Sequence, residues 1–191
     1  MSFSKSIMSI LLTILILVSG LLYLNSVLAY EDSETITISD DESVYYIQGF
    51  IGPLQVSTFL NRKEDIERVV FNSTGGYVWD AGILAYYIHK YGLTTMIEEN
   101  SICYSACVLL FQAGKTRIAH VNSEFMIHPA RFEANDVLYT ATVGTLIYTS
   151  LLRLYGFDND LINNISPDKG DFYFDAVTAK EYGLVTDLVL E

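Results

Sequence analysis

The chain has 191 residues, with 11 Lys or Arg against 23 Asp or Glu, a net charge of −12, 3 histidines and 2 cysteines. That length sets one folded domain as the default. The acidic balance argues against nucleic acid and anionic membrane surfaces as partners, and its ordinary service is solubility.

Ile7 to Leu24 is an almost purely apolar run that follows Lys5 and precedes Val27-Leu28-Ala29. A basic start, an apolar middle and a small-residue ending make a secretory signal peptide over residues 1–29. The 18-residue run also reaches the lower edge of a membrane-spanning length, so an uncleaved N-terminal membrane anchor is the second reading. The Val-Leu-Ala ending has no role in an anchor and favours cleavage. Both readings export the rest of the chain, as a periplasmic, secreted or membrane-anchored protein. Residues 1–29 hold Lys5 and no acid, so 10 basic residues then face 23 acidic ones, a net charge of −13. The remaining 162 residues (191 less 29) are enough for a core without staples.

Residues 30–43 are polar and acidic, a leader with little to bury. The folded domain is expected over residues 44–191. Val44 to Ile47 reads as a strand, Leu54 to Asn61 as a helix, and Arg68 to Phe71 as a buried strand. Asn72 to Gly76 reads as a glycine turn. Asp80 to Tyr91 is a helix stopped by Gly92, and Leu93 to Ile97 a strand. Ser105 to Ala113 is a strongly apolar helix ended by Gly114. Arg117 to Ala119 and Glu124 to Ile127 are strands. Glu133 to Tyr155 reads as one long helix, and Asp158 to Ile165 as a short one. Phe172 to Phe174 is a strand, and Asp175 caps a last helix through Glu181. Strands alternating with helical crossovers predict mostly parallel sheets with helices outside.

Cys103 and Cys107 flank Ser105. A spacing of four on a helix puts their Cα atoms about 6 Å apart, within reach of a disulfide. An oxidising compartment permits the bridge, which would fix local geometry around Ser105. The other reading is two buried small thiols. A thiol nucleophile is a weaker reading, and so is a metal site of Cys103, Cys107 and His120 or His128, for which no fourth ligand is evident.

Ser105 stands at a helix start, where an oxyanion formed from its substrate would meet backbone N–H groups. Gly75 and Gly76 can turn a second N–H toward the same space. His128, at a strand end, is a candidate base that needs a partner for its other nitrogen. Asp168, Asp171 and Asp175 are the later carboxylates. Read singly, Ser105 is an ordinary helix cap, His128 a structural histidine and Asp175 an N-cap. Asn72-Ser73-Thr74 and Asn164-Ile165-Ser166 match the glycosylation pattern. The first falls on the proposed oxyanion segment and is read as accidental.

Taken together, these motifs resemble the Clp protease proteolytic subunit (ClpP) superfamily, which shares the crotonase-like fold. The family's Asn-Ser-Pro-Gly-Gly resembles Asn72-Ser73-Thr74-Gly75-Gly76, and its serine opens a helix ending in Ala-Gly, as Ser105 to Ala113-Gly114 does. Its Met-Ile-His-Gln-Pro is similar to Met126-Ile127-His128-Pro129, without the glutamine. Its acid precedes an aromatic strand and a helix ending in Tyr-Gly-Leu, similar to Asp171-Phe172-Tyr173-Phe174 and Tyr182-Gly183-Leu184. The resemblance runs from about Tyr45 to Leu190.

The resemblance implies an α/β fold, a ClpP/crotonase-like spiral of ββα units. It implies a serine peptidase in which Ser105 attacks, His128 is the base, Asp171 orients His128, and the N–H groups of Gly76 and Ala106 form an oxyanion hole. It implies no cofactor, a peptide or unfolded protein as substrate, and a homo-oligomer joined through the long helix. Export argues against coupling to an ATPase. Thr74 in place of proline and the cysteines around Ser105 depart from the family pattern. They support the alternative of an inactive binding or scaffolding module. A crotonase acting on acyl-CoA is a third reading, disfavoured by the Ser–His pair and by export.

Overall fold

The structure is a computed structural model that describes residue 41, residues 43–134 and residues 137–190. The proposed signal peptide or anchor and most of the polar leader lie outside the described residues. Everything below concerns the compact unit within Thr35–Glu191.

The first crossover is β1 (Val44–Ile51), α1 (Pro53–Arg62) and β2 (Arg68–Gly76), with β1 and β2 parallel along their whole length. Pro53 starts α1 where its missing N–H is harmless, and Gln55 Oε1 accepts from the Gly52 N–H at 3.1 Å. α2 (Val78–Tyr91) follows directly and ends at Gly92, whose φ of 63° makes the left-handed cap. β3 (Thr94–Ile97) and β4 (Ile102–Tyr104) then pair with β2 on the same edge, β3 against Arg68–Phe71 and β4 at Ser73.

That shared edge makes the sheet curl. From β2 the strands β3, β5 (Thr116–His120) and β10 (Asp187–Val189) lead one way. β4, β6 (Glu124–Ile127) and β9 (Phe172–Asp175) lead the other. Every pairing in this sheet is parallel except β6 with β9. The bend has a local cause. The β1–β2 register shifts at Gly49/Phe50, and the buried Ser73 hydroxyl stitches the irregularity. Ser73 Oγ donates to Gly49 O at 2.5 Å and accepts from the Gly75 N–H at 3.1 Å. An extra residue in one strand bends it and increases its twist.

All residues of α3 (Ala106–Gln112) are buried, and the helix packs against β2, β3, β4 and β6 on one side and against other helices on the other. An apolar surface all round suits only a core helix. Burying Val108, Leu109, Leu110 and Phe111 stabilises by about 1.5–3 kcal/mol each. The core continues through Ile47, Phe71, Leu84 and Phe125, with Phe125 stacked on Phe174 at 5.5 Å.

Three expectations are corrected. Asn72–Gly76 is not a free turn but the second half of β2, because β1 pairs with it to its end. The long helix expected from Glu133 is a hairpin followed by a shorter helix: β7 (Arg131–Ala134), β8 (Val137–Thr140) and α4 (Thr142–Leu154). The β-branched and aromatic Val137, Tyr139 and Thr140 favour a strand there, and Phe132 stacks on Tyr139 across it at 5.5 Å. The helix expected over Asp158–Ile165 is only α5 (Asn159–Ile162), with Asp158 accepting from the Asp160 and Leu161 N–H groups. α6 (Ala176–Glu181) is capped by Asp175, as the sequence suggested. Among the described residues no helix is long and apolar enough to cross a membrane.

Candidate active site

Ser105 sits in the single-residue turn between β4 and α3, at φ 55° and ψ −122°. A non-glycine residue pays about 1–3 kcal/mol to hold such angles, and it persists only where its surroundings impose it. Here the surroundings do. The Ser105 N–H donates to Met126 O at 2.7 Å, which ties the turn to β6. The Ser105 carbonyl accepts from the Val108 N–H at 3.0 Å and from the Tyr148 hydroxyl at 2.8 Å. Cys103 and Cys107 are joined by a disulfide across the turn, with Cα atoms 5.2 Å apart. Neither is therefore a free thiol. A strained serine between a strand and a helix, here at the end of an interior strand and half-buried, is the setting in which a nucleophilic hydroxyl is presented.

Gly75 packs directly on this turn. A Cβ built on it would stand 2.7 Å from Tyr104 O, 2.8 Å from Ser105 Cβ and 3.1 Å from Ala106 N, and its φ is +95°. Only glycine fits on both counts. The Ala106 N–H makes no hydrogen bond among the described residues, and its nitrogen lies beside that wall. Gly76 pairs in register with Ile51, and the next residue, Tyr77, donates its N–H to Ile51 O at 2.9 Å. Successive N–H groups of a strand point to opposite edges, so the Gly76 N–H points away from β1, to the edge that carries β4 and Ser105.

His128 lies just beyond β6, the strand next to β4. Tyr104 pairs with Met126, so Ser105 and His128 leave neighbouring strands, about 4.8 Å apart, at the same end of the sheet. No hydrogen bond joins Ser105 to His128 among the described residues; such bonds are often loose until substrate binds. The His128 Nδ1 is 2.6 Å from Pro129 O. A carbonyl oxygen only accepts, so Nδ1 carries the proton and Nε2 is left with its lone pair. Burial holds the His128 imidazole below its ordinary value, and the Pro129 carbonyl opposes that. Arg131 lowers it further, whereas Asp171 raises it.

The three candidate acids separate. Asp171 Oδ1 forms an ion pair with Arg131 Nη2 at 2.6 Å, so its carboxylate acts on His128 through space while Pro129 O occupies Nδ1. Asp175 accepts from the Thr178 N–H at 2.7 Å, and its hydrogen bonds to Thr178 hold its carboxyl below the usual range. Asp168 makes no ion pair or hydrogen bond among the described residues. The sequence reading missed Pro129 O, Arg131 and Tyr148. A backbone carbonyl leaves no sequence signal, Arg131 meets Asp171 across 40 positions, and Tyr148 reads as one more apolar position of its helix. Among the described residues no group of three or more His, Cys, Asp or Glu side chains converges as a metal site would.

No protein-family model and no curated protein sequence matches the chain; its likeness to known proteins is in the backbone. It is similar to a point mutant of ClpP1 from Listeria monocytogenes, with a TM-score of 0.63 and 19% identity over 79% of this chain and 93% of that one. It is also similar to a peptidase from Plasmodium falciparum, with a TM-score of 0.61 and 16% identity over 78% of this chain and 97% of that one. The chain therefore has a ClpP-like fold, a curled and mostly parallel sheet with its helices packed around it.

Proposed function

We propose that the chain is an exported serine peptidase that hydrolyses peptides or unfolded segments without an ATPase partner. The observation that carries this reading is Ser105 at φ 55°, with Gly75 packed against it and the Nε2 lone pair of His128 free just beyond the next strand. Ser105 Oγ attacks the scissile carbonyl as His128 Nε2 takes its proton. The N–H groups of Ala106 and Gly76 stabilise the oxyanion. The C–N bond then breaks as His128 returns the proton to the leaving amine. Water, activated by the same imidazole, hydrolyses the acyl-enzyme. Pro129 O holds the tautomer, and Asp171 supplies negative charge beside the ring. Export rests on the sequence of residues 1–29. The exposed apolar side chains of α2 and α4, among them Trp79, Ile83, Val143 and Leu146, support a homo-oligomer.

The test is a quenched-fluorescence peptide library without nucleotide, with new termini identified by mass spectrometry. Cleavage is expected, unchanged by added ATP and lost in Ser105→Ala. A wild type that cleaves nothing would favour the second reading, a binding module. The observation behind that second reading is that Arg131, not His128, holds the Asp171 carboxylate.

A further inference from the structure

Tyr148 lies on α4, on the buried side that it shares with Thr149 and Leu152. It is 2% exposed, so its ring is a core group, yet its hydroxyl leaves the apolar core to reach one atom, Ser105 O, at 2.8 Å. That carbonyl already accepts from the Val108 N–H at 3.0 Å, so Tyr148 is not needed to satisfy it. The second bond fixes its direction instead.

The direction matters because the Ser105 carbonyl and the Ala106 N–H belong to one planar trans peptide, in which they point opposite ways. Holding the oxygen toward Tyr148 holds the N–H on the opposite side, and its nitrogen is the atom that lies against the Gly75 wall, beside the proposed oxyanion space. The alternative orientation is close at hand. At φ 55°, a rotation of ψ by about 170° from the observed −122° brings Ser105 to the left-handed helical region, φ near +57° and ψ near +47°. That region is the more comfortable one for an L-residue. The same rotation would swing the Ala106 N–H out of the site. A hydrogen bond to the oxygen also polarises the peptide, making its N–H a stronger donor.

We propose that Tyr148 is a positioning residue of the oxyanion hole, whose hydroxyl locks the Ser105–Ala106 peptide in its donor-inward orientation. The inference rests on Ser105 being the nucleophile, and its test separates the two claims. Tyr148→Phe removes one oxygen and keeps the ring, so the core is filled as before. Losing a whole oxyanion donor costs about 100- to 1,000-fold in kcat; a donor left free to turn is expected to cost about tenfold. KM is expected to stay within about twofold and the acid limb of the pH profile to stay in place, because His128 is untouched.

Crystal structures of the wild type and Tyr148→Phe read the peptide itself. A flipped or mixed Ser105–Ala106 peptide is expected in the variant. An unmoved peptide with unchanged kcat would overturn the proposal, as would a loss of thermal stability alone. If the wild type cleaves no peptide, the peptidase reading falls. The orientation of that peptide in Tyr148→Phe then still decides whether Tyr148 holds it.

Discussion

Replacing His128 by alanine is expected to lower kcat by about a million-fold, as losing the base of a Ser–His pair does in well-studied serine peptidases. Asp171→Asn is expected to cost only about tenfold, far short of the roughly 10,000-fold loss seen where the carboxylate alone fixes the tautomer. The difference comes from Pro129 O, which already holds the Nδ1 proton at 2.6 Å and is not removed by changing Asp171. Steady-state kinetics on a cleaved peptide measures both. The pH profile carries a sign. The base must be neutral, so the acid limb of kcat/KM follows the imidazole, which burial holds below its ordinary 6.5. Arg131 lowers it and Asp171 raises it. Arg131→Gln should therefore move the limb to higher pH and Asp171→Asn to lower pH. Shifts in the same direction would contradict this arrangement of charges.

Gly75→Ala is expected to damage stability and activity together. A Cβ there would stand 2.7 Å from Tyr104 O and 2.8 Å from Ser105 Cβ. Neither the backbone oxygen nor the anchored serine can step aside. The φ of +95° adds backbone strain. Together these should cost about 2–4 kcal/mol, at the upper end for a single substitution. Displacement of the wall beside Ala106 should lower hydrolysis by about 100-fold or more. Gly156→Ala is the control. Gly156 also has a positive φ, +78°, but nothing lies within 4 Å of its added Cβ. It should lose only about 1–2 kcal/mol of backbone preference and keep its hydrolysis. Thermal melts beside kinetics on both variants give the comparison. Equal losses from Gly75→Ala and Gly156→Ala would mean that Gly75 is no wall of the site.

Much of the fold was legible because its signals are local. Gly92 marked a helix end, the unbroken apolar run of α3 marked a buried helix, and Asp175 marked a cap. Part of what failed was non-local. Gly75 and Gly76 read as a turn because two glycines usually make one, yet β1 pairs with that segment and Ser73 fills the irregularity. The hairpin of β7 and β8 read as helix because helical spacing from Thr142 onward was extended backwards over β-branched residues that favour strands. At the site the candidate residues could be named from short motifs, but their partners could not. The ion pair of Asp171 with Arg131 joins distant segments, and the bond from His128 goes to a backbone oxygen.

The central claim is that Ser105 is the nucleophile. A fluorophosphonate reacts with a serine only when a base and an oxyanion hole activate it. Mass spectrometry of the labelled and digested protein should place the adduct on the peptide containing Ser105. Labelling should slow as His128 becomes protonated at acid pH and be absent from Ser105→Ala. An unlabelled wild type, or an adduct on any other residue, would contradict the account.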